Sequence, residues 1–139
     1  MGGRVLKGYL LDTSLLLRLL TGEPPELAAR ALEVFRGAEE GRYTLVAHPL
    51  VVAEAFYTLV SFYGAERAKA ARALLDLLDR PGIVLEEEED LRAALENAGK
   101  GGLSLVDLFL AHKARRQGEG IASLDEKLRK RAGVALLPP

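Results

Sequence analysis

Four carboxylates stand where the chain is otherwise apolar. Asp12 closes the run Tyr9-Leu10-Leu11 and precedes Thr13-Ser14-Leu15-Leu16-Leu17. Glu54 lies between Leu50-Val51-Val52-Ala53 and Ala55-Phe56-Tyr57, and Asp107 between Leu103-Ser104-Leu105-Val106 and Leu108-Phe109-Leu110. Asp125 follows Ile121-Ala122-Ser123-Leu124. On a helix the side chains three and four residues from Glu54 are Leu50, Val51, Tyr57 and Thr58, which assigns it to the apolar stripe. Asp107 has Leu103, Leu110 and Ala111 at the same spacings, and neither acid has a Lys or Arg there. A carboxylate buried without a partner costs several kcal/mol or takes up a proton. If the four converge, their mutual repulsion calls for a divalent cation. With oxygen ligands and no cysteine, that cation is Mg²⁺ or Mn²⁺.

Each acid also has a plainer use. Asp12 can cap a helix beginning near Ser14, and Asp125 one beginning at Glu126. Glu54 can pair with an arginine distant in sequence. Asp107 can sit in a helix first turn, where the macrodipole favours an acid. Four such placements together favour a site.

The remaining composition narrows the chemistry. The chain has 139 residues, long enough to bury a core as one domain spanning 1–139. Hydrophobic residues are 49% and charged residues 28%, a balance that argues against disorder. The absence of cysteine removes disulfides, zinc ribbons and thiol chemistry, and two histidines are too few for a His-rich metal site. Nineteen Lys and Arg against 20 Asp and Glu exclude a whole-surface electrostatic grip on nucleic acid but not a local basic patch. The start MGGRVLKGYLLD lacks the features of a signal peptide, and Leu6 stands where a myristoylation motif wants Ser or Thr. No apolar run is long enough to span a bilayer, so a cytoplasmic protein is expected.

Short apolar runs alternate with longer helical ones. Strands are expected at Val5–Leu11, Tyr43–Ala47, Ile83–Leu85, Gly120–Ser123 and Val134–Leu137. Helices are expected over Ser14–Leu20, from Leu27 towards Gly41, and over Leu50–Tyr63, Ala68–Leu78, Asp90–Ala98, Ser104–Gln117 and Glu126–Ala132. Strands joined by helical crossovers cannot be hairpins, so the fold class is α/β, with a central, mainly parallel sheet flanked by helices on both faces. In such a sheet ligands bind beyond the carboxyl ends of the strands, where Asp12 and Asp125 fall. Glu54 and Asp107, in the first turns of helices, point to the same rim.

The ordered series Leu11-Asp12-Thr13-Ser14, Ala53-Glu54-Ala55, Leu105-Val106-Asp107 and Ser123-Leu124-Asp125 resembles the PIN domain family. The resemblance is nearest to the small VapC-like toxin ribonucleases of toxin–antitoxin pairs. It implies a parallel sheet whose acidic pocket holds Mg²⁺ or Mn²⁺ and cleaves RNA. Carried over by position, Asp12, Glu54, Asp107 and Asp125 would be the metal-site and catalytic acids. Thr13 or Ser14, and Ser123, would supply hydroxyls that orient them, Ser14 standing where many relatives have Asn. The expected products carry 5′-phosphate and 3′-hydroxyl ends.

Other features have two readings each. The late basic density, from Lys113, Arg115 and Arg116 to Lys127, Arg129, Lys130 and Arg131, is either a grip on RNA or a solvated helix face. Arg18, Arg115 and Arg116 are candidates for contact with RNA or an antitoxin. The run Glu86–Asp90 reads as a solvated loop and helix start, and His48 and His112 as packing or surface residues. The leucine-rich helices Leu50–Tyr63 and Ala65–Asp79 carry more apolar surface than a small domain easily hides, which suggests a homodimer interface or a groove for an antitoxin helix. Phosphatases that use a strand-terminal Asp want a second Asp where Ser14 stands. Two rivals keep the same residues: a PIN-fold RNA- or protein-binding scaffold without turnover, and a housekeeping RNA-processing nuclease.

Overall fold

Apolar runs punctuated by glycine and proline, alternating with stretches of helical spacing, fold as that alternation dictates. A computed structural model describes residues 5–139. Residues 1–4, on which the readings about export and acylation partly rest, lie outside the described residues. The first strand, β1 (Gly8–Leu10), leads through Leu11-Asp12 into α1 (Thr13–Thr21). Gly22, at φ 73°, stops that helix and donates its N–H to the Arg18 carbonyl. Pro25 opens α2 (Pro25–Glu39), where a missing N–H is harmless. β2 (Thr44–Ala47) runs into α3 (Pro49–Ser61), whose cap is the His48 ring, Nδ1 accepting from the Leu50 N–H at 3.0 Å.

Next come α4 (Arg67–Leu78), β3 (Ile83–Leu85), α5 (Glu88–Asn97) and α6 (Leu105–Gln117). As the sequence predicts, Ser104 caps α6: its Oγ accepts from the Asp107 N–H at 3.1 Å. β4 (Ile121–Ala122), α7 (Glu126–Arg131) and β5 (Leu136–Leu137) complete the order.

The sheet is parallel, as crossover helices require, in the order β1-β2-β3, with Tyr9 opposite Leu45 and Leu45 opposite Ile83. The three strands therefore end along one edge, where Asp12, His48 and Glu86 follow them. Gly82 makes the turn into β3 at φ 86°, and a Cβ there would lie 2.5 Å from the Ala38 carbonyl oxygen. Only glycine fits.

The sheet divides where a single one was expected. β4 and β5 form their own parallel ladder, Ile121 opposite Leu136. β4 has two residues and packs with α6 and α7 about a small core of Leu103, Ala111, Ala114, Ile121, Leu128 and Ala132. Among the described residues β1 pairs only with β2, and Leu10 at its end is 77% exposed. The larger core holds Leu16, Phe35, Leu45, Phe56 and Leu74, all fully buried, and Leu108 touches both cores.

α4 differs from the expectation of surplus apolar surface. Its Leu74, Leu75, Leu77 and Leu78 are all buried, so that face is used up inside the molecule. Of the two leucine-rich helices, the large apolar residues left exposed lie at the ends of α3, Leu50 near its start and Phe62 and Tyr63 just beyond it. Among the described residues, no helix is long and apolar enough to cross a membrane.

Candidate active site

The four acids are less buried than the sequence suggests. Asp12, Glu54 and Asp125 are exposed and Asp107 is half-buried. The buried stripe of α3 is Val52, Ala55, Phe56 and Leu59, so Glu54 lies beside that face rather than in it, and because Pro49 opens the helix Glu54 falls in its second turn, not the first as expected. The cost of a buried, unpaired charge therefore does not arise for these acids. Asp12, Glu54 and Asp125 instead accept hydrogen bonds from nearby hydroxyl or N–H groups.

Asp12 sits at the exit of β1, between buried Leu11 and buried Thr13. It occupies the N-cap position of α1, yet its side chain makes no cap bond. The carboxylate accepts from Ser14 Oγ at 2.7 Å instead. That hydrogen bond favours the ionised form, and with help from the Ser14 and Thr13 backbone N–H groups it holds Asp12 below the usual carboxylate range, against a smaller desolvation effect.

Thr13 turns the other way. Its Oγ1 donates to Glu54 Oε1 at 2.5 Å, a contact that joins the start of α1 to α3. Glu54 thus pairs with a hydroxyl adjacent to Asp12 and not with an arginine. One helical turn after Glu54, the Tyr57 hydroxyl accepts from the Val106 N–H at 3.4 Å, which brings the start of α6 and its Asp107 alongside α3.

Asp125 serves as the plainer reading has it. Its Oδ1 accepts from the Leu128 N–H at 3.0 Å and caps α7, while Ser123 Oγ accepts from the Asp125 N–H at 3.0 Å. Thr13 and Tyr57 thus bring together the elements that carry Asp12, Glu54 and Asp107, whereas Asp125 stands with β4, α7 and β5. Among the described residues, no group of three or more Asp, Glu or His is arranged to hold a metal ion.

A divalent cation is tested against this donor set by its chemistry. Carboxylate and hydroxyl oxygens suit a hard cation. Mg²⁺ typically keeps several waters and takes only one or two carboxylates together with substrate phosphate, not a closed protein cage. Asp12 and Glu54, both accessible and tied through Thr13, fit that open arrangement.

The candidate cations are all engaged by the protein. Arg18 Nη1 donates to the Glu23 carbonyl at 3.3 Å, and Arg115 Nη1 to the Ala132 carbonyl at 2.8 Å. Arg116 grips Asp90 with both arms, Nε to Oδ1 at 3.0 Å and Nη2 to Oδ2 at 2.6 Å, and also pairs with Glu89. Arg18 lines a cavity of about 760 Å³ between α1 and α2, which opens beside Ser14 and also receives Arg30, Arg36 and Arg42 together with Glu33 and Glu40.

Asp90 corrects the reading of residues 86–90 as solvated. Glu86 to Glu89 are exposed, but Asp90 is fully buried at 0% exposure. His112 Nδ1 lies 2.7 Å from its Oδ1. The Arg116 hydrogen bonds, followed by the His112 bond and the charges of both groups, outweigh desolvation and hold the Asp90 carboxyl at about 2. The buried acid of this protein thus joins α5 to α6. The signal in the sequence was His112 and Arg116, one turn apart on α6 and able to meet one acid.

The family model for the PIN domain matches residues 9–134. No curated protein and no solved structure gave a match.

Proposed function

The chain belongs to the PIN domain family, whose members are generally nucleases, and on that premise we propose that it is a Mg²⁺- or Mn²⁺-dependent endoribonuclease that hydrolyses RNA phosphodiesters. The observation that supports this most is the bond from Thr13 to Glu54, which ties the helix carrying Glu54 to the residue that follows Asp12 at the carboxyl end of a parallel strand. Asp12 and Glu54 would hold the cation, with Asp107 and Asp125 as further acids of the same centre. The bound cation supplies Lewis acidity toward a water and the scissile phosphate.

The residues of the chain do the rest. Ser14 and Thr13 keep the Asp12 and Glu54 carboxylates in fixed orientations, and Ser123 orients the backbone entering Asp125. A carboxylate of the rim, or bulk water, accepts the proton of the attacking water. The new bond forms at phosphorus and the bond to the 3′-oxygen breaks, leaving 5′-phosphate and 3′-hydroxyl ends. The cavity beside Ser14, with Arg18, Arg30 and Arg36 in its wall, gives the strand an approach to the rim.

We further propose that the chain is a cytoplasmic toxin of the VapC-like kind, restrained by a small antitoxin and paired with a second copy. Its support is the apolar groove of about 200 Å³ between α3 and α6, lined by Leu50, Val106, Phe109 and Leu110.

The test is incubation of the purified protein with a mixed pool of structured RNAs, with Mg²⁺ or Mn²⁺ and with chelator. Metal-dependent cleavage leaving 5′-phosphate ends is the expected result. RNA binding indifferent to metal, without cleavage by antitoxin-free protein, would mark a binding scaffold. Cleavage without growth arrest on expression would mark an RNA-processing nuclease.

A further inference from the structure

A second cavity, about 260 Å³, lies between the end of α5, the loop that follows it, α6 and α7. Lys100, His112, Arg115 and Arg131 all line it, and no Asp or Glu does. Among the described residues, Lys100, Arg115 and Arg131 form no ion pair with a carboxylate, unlike Arg72, Arg80, Arg92 and Lys113 elsewhere on the surface. The arrangement is also held in place. Arg115 is anchored to the Ala132 carbonyl, and His112 is anchored through Nδ1 to buried Asp90, which leaves the rest of each head group free.

Gly101 shapes the entrance. A Cβ there would lie 2.6 Å from Arg131 Nη1, so glycine lets the loop and that guanidinium share the space. Leu103, Leu108 and Ala111 form the apolar wall. Cations gathered against such a wall repel one another unless an anion is present, and a wall of low dielectric strengthens the attraction to that anion. Planar guanidinium groups with several N–H donors suit phosphate oxygens.

We propose that this cavity is a phosphate subsite that holds the RNA backbone away from the acid rim. It rests on the RNA-cleaving reading above. α6 carries both sites: Asp107 is in its first turn and Arg115 eight residues later, about 12 Å along the axis. One strand can therefore engage both. The subsite contacts no base, so it adds affinity and register without sequence preference.

The test is binding of a fluorescent single-stranded RNA by the full chain in chelator, where nothing is cut, across a series of salt concentrations. Lys100→Gln/Arg131→Gln is compared with the parent and with Lys69→Gln/Arg72→Gln, which removes the same charge from exposed positions on α4. Two lost phosphate contacts should lower the slope of log affinity against log salt by about 1.4. Affinity at low salt should fall at least about fivefold, with the single-turnover cleavage rate at saturating enzyme unchanged. An unchanged slope, or an equal loss in the α4 control, overturns the subsite. Because binding is read without metal, RNA bound through this cavity but never cut would retain the subsite and remove the nuclease reading. Cleavage with an unaltered slope would do the reverse.

Discussion

Thr13 Oγ1 donates to Glu54 Oε1 at 2.5 Å, although 41 residues separate them. Thr13 is itself buried, so the hydroxyl has few alternatives and the bond fixes how α1 meets α3. The two residues on either side of Thr13 carry the other half of the arrangement, the Ser14 hydroxyl bonded to the Asp12 carboxylate at 2.7 Å. Two acids are thereby oriented from three consecutive residues at the end of one strand.

Thr13→Val keeps the shape and removes the hydroxyl. It should lower single-turnover RNA cleavage by about tenfold or more, the scale of a lost interaction worth about 1.4 kcal/mol. Thr13→Ser restores the donor and should recover most of the rate. Equal rates for the valine and serine variants would show that the contact only packs α1 on α3.

Asp125 has two uses that a pair of variants separates. Asparagine caps a helix about as well as aspartate, whereas alanine costs roughly 1 kcal/mol at such a position. Asp125→Asn should therefore leave the melting temperature within a degree or two while reducing cleavage, and Asp125→Ala should reduce both. If Asp125→Asn cuts RNA at the parental rate, Asp125 is a cap for α7 and nothing more.

The pairing of buried Asp90 with the exposed Arg116 predicts acid sensitivity. The Asp90 carboxyl is lowered from 3.8 to about 2 on folding, so the folded state holds fewer protons than the unfolded one between those values. The associated stability, roughly 2 kcal/mol, is fully present above about pH 4 and is lost as pH falls towards 2. Asp90→Asn should remove this dependence and weaken the bonds from Arg116 and His112, lowering stability at pH 7 by roughly 2 kcal/mol. Urea unfolding across pH 2–7 measures both.

Gly82→Ala would place a methyl 2.5 Å from the Ala38 oxygen at a backbone φ of 86°. Strain of that kind costs about 1–3 kcal/mol. Thermal unfolding should show the loss, whereas Gly41→Ala, at φ 79° with nothing near its Cβ, should lose only the conformational part.

Much of this architecture was legible in the sequence because period and punctuation agree locally. Gly22 and Gly118 end helices, Ser104 caps one, and Pro25 and Pro49 begin others, all through interactions within a few residues. The site was legible by residue type and order but not by environment. Glu54 falls within an apolar run, yet burial of its helix face is decided by what α3 packs against, and Val52, Ala55 and Phe56 take that face. Asp90 was hidden by the four glutamates before it, since its partners His112 and Arg116 lie on another helix. The division of β4 and β5 from the larger sheet is likewise set by tertiary packing, which no local pattern encodes.

The account rests on the acid rim. Its most direct test is the single-turnover cleavage rate of one labelled RNA at saturating Mn²⁺, for the parent and for Asp12→Asn of matched thermal stability. A fall of at least about a hundredfold, some 2.7 kcal/mol of transition-state stabilisation, is the predicted result. Parental activity in Asp12→Asn would contradict the account, because the best-supported carboxylate of the rim would then take no part in the chemistry.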